Sequence, residues 1–425
     1  MKIINGDCLE ELNRLEDNSV DAVITDPPYG LSNTKPVQVA EILGRWVNGD
    51  VSHVPEKRGG FMGADWDSFV PPPAVWQECM RVLKPGGHMA VFAGARTQDL
   101  MGLSIRLAGF EIRDTLGWVY GSGFPKSMDV SKAIDKAAGA EREVVGRAKG
   151  AQAESTGRYG AWGNDRGDGI SEYNLTAPAT SEAQRWDGWG TALKPAIEPI
   201  ILARKPLDGT VANNVLAHGV GGLNIDACRV GTDDNTQRVS NAGTNGDGWG
   251  MGKSYHINGG SPAGRFPANV LLDEHAAKEM DEQSGVSTSR RALLTSTPGG
   301  IYGGGAGLPS HTGEYGHNDS GGASRFFPVF KYQAKAPKKE RPVIVREDGT
   351  KVQHPTVKPL ALMEWLVTLV TPEGGVVLDP FAGTGTTLQA ATNKGFNPIG
   401  IEADADYIQL IHQRMEGGTP STRSS

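Results

Sequence analysis

The sequence predicts an α/β protein with a parallel sheet, and three observations carry that expectation. Short apolar runs alternate with helically spaced segments through the first 130 residues, the trace that a parallel sheet with covering helices leaves in a chain. A further strand–helix–strand unit follows His354 near the C-terminus. Between these two parts the chain becomes rich in Gly, Asn and Ser and loses sustained apolar periodicity.

Taken in order, Asp21–Thr25 is an apolar run ending at Asp26-Pro27-Pro28-Tyr29. The spacing of Val75, Trp76, Cys79, Met80 and Leu83 predicts a helix over Pro71–Leu83, stopped by the turn Lys84-Pro85-Gly86-Gly87. His88–Ala93 reads as a strand, Gln98–Ala108 as a helix and Glu111–Tyr120 as a strand. From Ser131 to Lys194 the pattern fades, and one strand returns at Ile197–Ala203. Asp208 to about Gln333 is again Gly-, Asn- and Ser-rich, which suits a specificity or lid region with little core of its own, or partial disorder. Leu360–Val370 then reads as an apolar helix, Val376–Leu378 as a buried strand, Thr386–Lys394 as a helix and Pro398–Ile401 as a second strand.

Composition narrows the class. A chain of 425 residues holds two or three domain-sized units, and 38% hydrophobic residues can support a core. No apolar run reaches the ~18 residues of a membrane span, and Asp7 interrupts any signal-peptide pattern at the N-terminus. Cys8, Cys79 and Cys228 are too few and too scattered for a disulfide framework or a Cys-rich zinc site. A cytoplasmic protein without a metal centre is therefore expected. The net charge of −7 argues against bulk attraction to nucleic acid, but leaves room for a local groove of placed Lys and Arg.

Two motifs carry chemistry. Val376–Leu378 runs into Asp379-Pro380-Phe381-Ala382-Gly383-Thr384-Gly385-Thr386-Thr387 and then a helix. Glycines after a parallel strand let a ligand approach the backbone, and the helix N-terminus favours a negative group on it. About twenty residues on, Glu402 closes the next strand, where a carboxylate can accept from ribose hydroxyls. A dinucleotide Gly-x-Gly-x-x-Gly and a phosphate-loop lysine are both missing, which disfavours NAD and ATP. In the second motif, Asp26 and a proline carbonyl can accept both hydrogens of an amino group, and Tyr29 offers a face for stacking a base. The same tetrapeptide also reads as a Pro-rich turn with a solvated Asp.

Taken with Asn5-Gly6-Asp7-Cys8-Leu9-Glu10 and His354-Pro355-Thr356-Val357-Lys358-Pro359, these motifs occur in an order that resembles the beta class of amino-group DNA methyltransferases. In that class the cofactor motif follows the catalytic motif, a circular permutation of a seven-stranded Rossmann-like sheet. The resemblance implies S-adenosylmethionine lined by Asp379, Phe381, Ala382, Gly383, Thr384 and Gly385, with Glu402 on its ribose. It implies Asp7 at the cofactor adenine with Cys8 nearby, and Thr356 and Lys358 closing over the methionine end. Asp26, Pro27, Pro28 and Tyr29 would hold the flipped target base. Asp7 reads equally as a helix N-cap with Glu10 three residues on, and Lys358 equally as a solvated loop lysine.

The resemblance divides the chain into a catalytic half at 1–130, an insertion at 131–194, a returning strand at 195–207, a target-recognition region at 208–350, a cofactor-binding half at 351–416 and a disordered tail at 417–425. Arg158, Tyr159, Trp162, Arg185, Trp186 and Trp189 could contact bases or fill small local cores. The basic stretch Arg325–Arg346 could track phosphates or serve as a solvated linker. The expected partner is duplex DNA, with a homodimer as the class often forms, in the setting of restriction-modification. An amino nitrogen has its lone pair delocalised, so the chemistry expected is in-line transfer with Asp26 stabilising developing charge. No cysteine follows a proline, which disfavours methylation at the cytosine 5-position. Asp rather than Ser at position 26 favours adenine N6. The alternatives are cytosine N4, a non-catalytic DNA-binding protein, and an RNA or protein amide methyltransferase.

Overall fold

The computed structural model describes the whole chain except residues 33, 56–64, 122, 124–126, 150–171, 232–263, 289–291, 295–312, 316–318, 331–342, 346–350, 353–356 and 418–425. Thr356, Arg158, Tyr159, Trp162 and most of the basic stretch after Phe330 lie outside the described residues. The chain divides into two compact units, Met1–Tyr120 with Ile197–Ser425, and Gly121–Ala196.

The first unit is built on strands β1 (Lys2–Asn5), β2 (Val20–Thr25), β3 (Leu83–Phe92), β4 (Glu111–Val119), β5 (Ile197–Arg204), β6 (Val270–Asp273), β7 (Val329–Phe330), β8 (Val376–Asp379) and β9 (Asn397–Glu402). They form one sheet in the order β1-β9-β8-β2-β3-β5-β4-β6-β7. The C-terminal strands β8 and β9 are thus inserted between β1 and β2. Every described ladder of this sheet is parallel except the two that β5 makes, with β3 and with β4.

Both faces of this sheet are covered, which explains why all six residues of β2 are buried, the polar Asp21 and Thr25 among them. Side chains alternate across a strand. Val23 therefore joins one core with Trp46, Trp76 and Met89, while Ala22 and Ile24 join the other with Phe92, Leu366 and Val367. Val20, before the register shift at Val20/Ala22, also falls on the side of Val23. Helices Pro36–Val47, Pro73–Val82 and Gln98–Leu107 supply buried residues to the first layer. Helix Leu360–Val370 covers the second with Leu362, Met363, Leu366, Val367, Leu369 and Val370, paired positions one turn apart.

Three expectations are corrected. The sheet is mixed rather than parallel, because β5 runs against its neighbours. It holds nine strands rather than seven, because Val270–Asp273 and Val329–Phe330 extend it beyond β4. Runs of four and two residues are too short to show a period in the sequence. The middle segment also has a core role. Asn214, fully buried in helix Val211–His218, donates to Pro85 O at 2.9 Å and to Val220 O at 2.7 Å. It plugs the turn Lys84–Gly87, which loops out between the pairs Val20–Leu83 and Ala22–His88. Gly86 has φ +77 there, and a Cβ on it would overlap the Asn214 amide.

The second unit pairs strand Val144–Lys149 antiparallel with Glu172–Thr176, beside helices Val130–Ala137 and Ser181–Arg185. Its anchor is the buried Asp135, which accepts from Arg142 at 2.6 Å and from the Thr180 hydroxyl at 2.8 Å. Trp186 and Trp189 meet edge-on at 5.0 Å between centroids and stay largely exposed.

Candidate active site

Four neighbouring parallel strands, β1, β9, β8 and β2, end on the same edge of the sheet. An acid lies at or just past each end: Asp7, Glu402, Asp379 and Asp26. Crevices outside the carboxyl ends of parallel strands are where α/β sheets bind ligands. Residues almost the whole chain apart meet here, since Asn5 pairs with Glu402 and Leu378 with Val23.

The glycine loop is held by its neighbours. Glu402 accepts from Gly383 N at 2.8 Å and from Asp404 N at 2.9 Å, one on each carboxylate oxygen. Gly383 and Gly385 have φ of +52 and +75, a left-handed backbone that side chains with a Cβ rarely adopt. The buried Arg414 donates to Thr384 O at 2.7 Å and to the Thr384 hydroxyl at 3.2 Å. Ala382 N donates to Ile401 O at 2.9 Å. Thr384 and Ala382 thus fix the loop. Phe381 is half-buried and lies 6.3 Å from Trp76 between ring centroids.

Asp379 joins this loop to the second motif. Its Oδ1 accepts from the Thr25 hydroxyl at 2.6 Å and from Phe381 N at 3.1 Å. Burial pushes its carboxyl up to about 6 against those hydrogen bonds, with Asp26 adding to the rise. Burial likewise pushes Glu402 up to about 7, although the Asp404 and Gly383 amides favour its charged form.

Asp7 takes the N-cap role: its Oδ1 accepts from Leu9 N at 2.9 Å and Glu10 N at 3.3 Å, starting helix Cys8–Leu12. The Cys8 thiol is half-buried against the first core, and burial, then Asp7, raises it to about 12. A thiol raised in this way stays protonated at neutral pH, which disfavours a nucleophilic role.

At the end of β2, Asp26 and Tyr29 form a polar pair. The Tyr29 hydroxyl donates to Asp26 Oδ1 at 2.8 Å. Pro27 is buried and Pro28 half-buried. The turn is pinned by the Thr97 hydroxyl on Tyr29 O at 2.6 Å and by the buried Asp67, which accepts from Gly30 N at 2.8 Å.

Lys358 is not a solvated lysine, since its side chain is 10% exposed. Its ammonium lies 3.1 Å from Asp26 Oδ2 and 3.0 Å from Glu198 Oε2, and donates to the Tyr29 hydroxyl at 3.0 Å. Burial opposes its charge, yet Asp26 and Glu198 together hold its pKa above the ordinary lysine value. Burial first, then Asp26 and Glu198, push the Tyr29 phenol well above its usual range, so it stays a donor.

Glu198, Thr25, Asp67, Thr97 and Arg414 were missing from the sequence reading. Glu198 had one available signal, an acid opening the apolar strand Ile197–Arg204. Among the described residues no group of His, Cys, Asp and Glu could hold a metal ion, and no helix is long and apolar enough to cross a membrane.

Comparison with known proteins agrees with this geometry. The family described as DNA methylase, of the N6/N4 type, matches residues 20–413. The Type II methyltransferase M.HindIII of Haemophilus influenzae is 24% identical, over 97% of this chain and 94% of its own. The Type II methyltransferase M2.DpnII of Streptococcus pneumoniae is 42% identical over 15% of this chain and 24% of its own. Among solved structures, the cytosine-N4-specific PvuII DNA methyltransferase has 13% identity and a TM-score of 0.40, covering 97% of this chain and 85% of that one. A match running almost end to end, over a chain whose strand-end acids gather at one edge of the sheet, has one conclusion: the chain belongs to the DNA amino-methyltransferases of the N6-adenine/N4-cytosine family.

Proposed function

We propose that the protein transfers a methyl group from S-adenosylmethionine to the N6 amino group of adenine in DNA, directly and after the base has left the duplex. The observation that carries this reading is the 2.6 Å hydrogen bond from Thr25 to Asp379. It ties the base-holding motif to the glycine loop across a single strand spacing, so that an amino-group acceptor and a cofactor cradle share one crevice.

The residues present fit the cofactor. Gly385, with φ +75, lets the loop turn tightly into the helix, where a Cβ would press on the buried Ile411 at 3.0 Å. Asp379 and Glu402 present acceptors for hydroxyl and ammonium groups, and the helix starting at Thr386 favours a carboxylate beside its first turn. Asp379, Phe381, Ala382, Gly383, Thr384 and Gly385 would hold it, with Glu402 on the ribose, Asp7 and Cys8 toward the adenine, and Thr356 and Lys358 at the methionine end. When bound, the cofactor would supply an activated methyl group on a sulfonium, whose sulfur keeps the bonding pair and departs as a neutral thioether.

Asp26 accepts from the target amino group, turns its lone pair toward the methyl group and stabilises the positive charge that develops on nitrogen. Pro27 and Pro28 keep the backbone extended behind it. Tyr29 provides the stacking face, with its hydroxyl fixing Asp26. Extruding the base costs a few kcal/mol, which these contacts repay. Asp at position 26 favours adenine over cytosine. Target reading falls to residues 208–350.

The test is to incubate the protein with unmodified duplex DNA and S-adenosylmethionine, then quantify methylated nucleosides by mass spectrometry beside an Asp26→Ala control. N6-methyladenine that vanishes in the control supports the reading. N4-methylcytosine instead overturns the base assignment, and no methylated nucleoside redirects the search to RNA or protein.

A further inference from the structure

We propose that Glu198 is a positioning residue of the base-holding half, one that keeps Lys358 anchored while the target amino group takes over Asp26. The inference rests on the reading of Asp26 as the acceptor for that amino group. Both Asp26 oxygens are engaged in the structure, Oδ1 by the Tyr29 hydroxyl at 2.8 Å and Oδ2 by Lys358 at 3.1 Å. An incoming amino group therefore competes with an ammonium for the same carboxylate.

With its side chain only 10% exposed, this ammonium has little water to replace a lost partner, and leaving it buried and unpaired would be costly. Glu198 removes that difficulty. Its Oε2 already lies 3.0 Å from Lys358 Nζ, so the lysine can release Asp26 and keep its charge paired. The rings of Phe92 and Tyr29, centred 4.8 and 5.3 Å from Nζ, border the same ammonium. One ammonium faces two carboxylates, so Asp26 is left free to accept once Lys358 turns to Glu198. The antiparallel course of β5 is what brings Glu198 here. It opens β5 opposite Trp118, while Phe92, which closes β3, pairs with Ile200 two residues further on.

The experiment is steady-state methyl transfer by the full-length protein, with kcat separated from KM, for wild type, Glu198→Gln, Lys358→Met and the double variant. Glu198→Gln should lower kcat roughly ten- to a hundredfold, the worth of a charged hydrogen bond, with the KM for S-adenosylmethionine within about twofold. In the Lys358→Met background the same change should add nothing, because Glu198 acts through the lysine. A second variant, Glu198→Ala, should regain kcat when acetate is added and not when chloride is added. The proposal alone is overturned if wild type is active and Glu198→Gln matches it. It is equally overturned if the loss is the same with and without Lys358, or if acetate restores nothing. A wild type that methylates no DNA overturns the underlying reading, and the proposal with it.

Discussion

The two halves of the crevice are held by different means. On the cofactor side, Glu402 is fastened by two backbone amides and Asp379 by a backbone amide and a hydroxyl from the next strand. On the base side, Asp26 is held by two side chains, a phenol and a lysine, each with rotatable bonds of its own. Backbone partners cannot move without moving the sheet, whereas side-chain partners can be exchanged. The half proposed to hold the cofactor is thus preformed, and the half proposed to hold the base is adjustable, as the proposed flipping requires.

That contrast can be broken or sharpened by substitution. The largest effect is expected for Asp26→Ala, which removes the acceptor at the reacting nitrogen. Methyl transfer should fall by about a hundredfold or more while S-adenosylmethionine binding, read by calorimetry, stays within a few-fold of wild type. Equal loss of cofactor binding would show that the halves are not separable. On the preformed side, Gly385→Ala forces a left-handed backbone on a residue with a Cβ that meets Ile411 at 3.0 Å. It should cost about 1–2 kcal/mol in urea unfolding and weaken cofactor binding. Thr25→Val deletes the hydroxyl between β2 and β8. About 1 kcal/mol of stability should go with it, read from the same unfolding curves.

A further effect is in the pH dependence. The Asp379 and Glu402 carboxyls lie at about 6 and about 7 when folded, above their ordinary values of 3.8 and 4.5. The folded protein therefore binds protons that the unfolded chain releases. This stabilisation is complete below the ordinary values and is lost as pH rises through about 6 and 7. Glu402→Gln should flatten the slope of stability against pH between about 4.5 and 7. An unchanged slope in unfolding curves across that range would exclude Glu402 as its source.

Much of the fold was legible from local pattern. Helix Leu360–Val370 has the bounds its apolar spacing predicts, and β2, β8 and β9 fall within a residue or so of the runs that announce them. Helices Val211–His218 and Glu274–Ser284 were hidden in a Gly-rich segment whose composition points to loops. Of the site, Asp26, Tyr29, Asp379 and Glu402 could be read because each ends a strand or lies in the recognisable turn that follows one. Lys358 could be found but not its partners, since a salt bridge is a relation between elements rather than a pattern within one.

Glu198 shows where the limit lies. Had β5 been parallel like its neighbours, its first residues would lie at the opposite edge of the sheet from Asp26, and Glu198 would be remote from the chemistry. Strand direction depends on how the chain crosses between elements, and no residue within Ile197–Arg204 encodes it. The sequence by itself determined the strand-end acids, the glycine loop and the helices that cover the sheet, because periodicity and turn chemistry are local. Only the tertiary structure decided which acids share a cation, because a buried ammonium is assigned to its carboxylates by distance across the sheet edge.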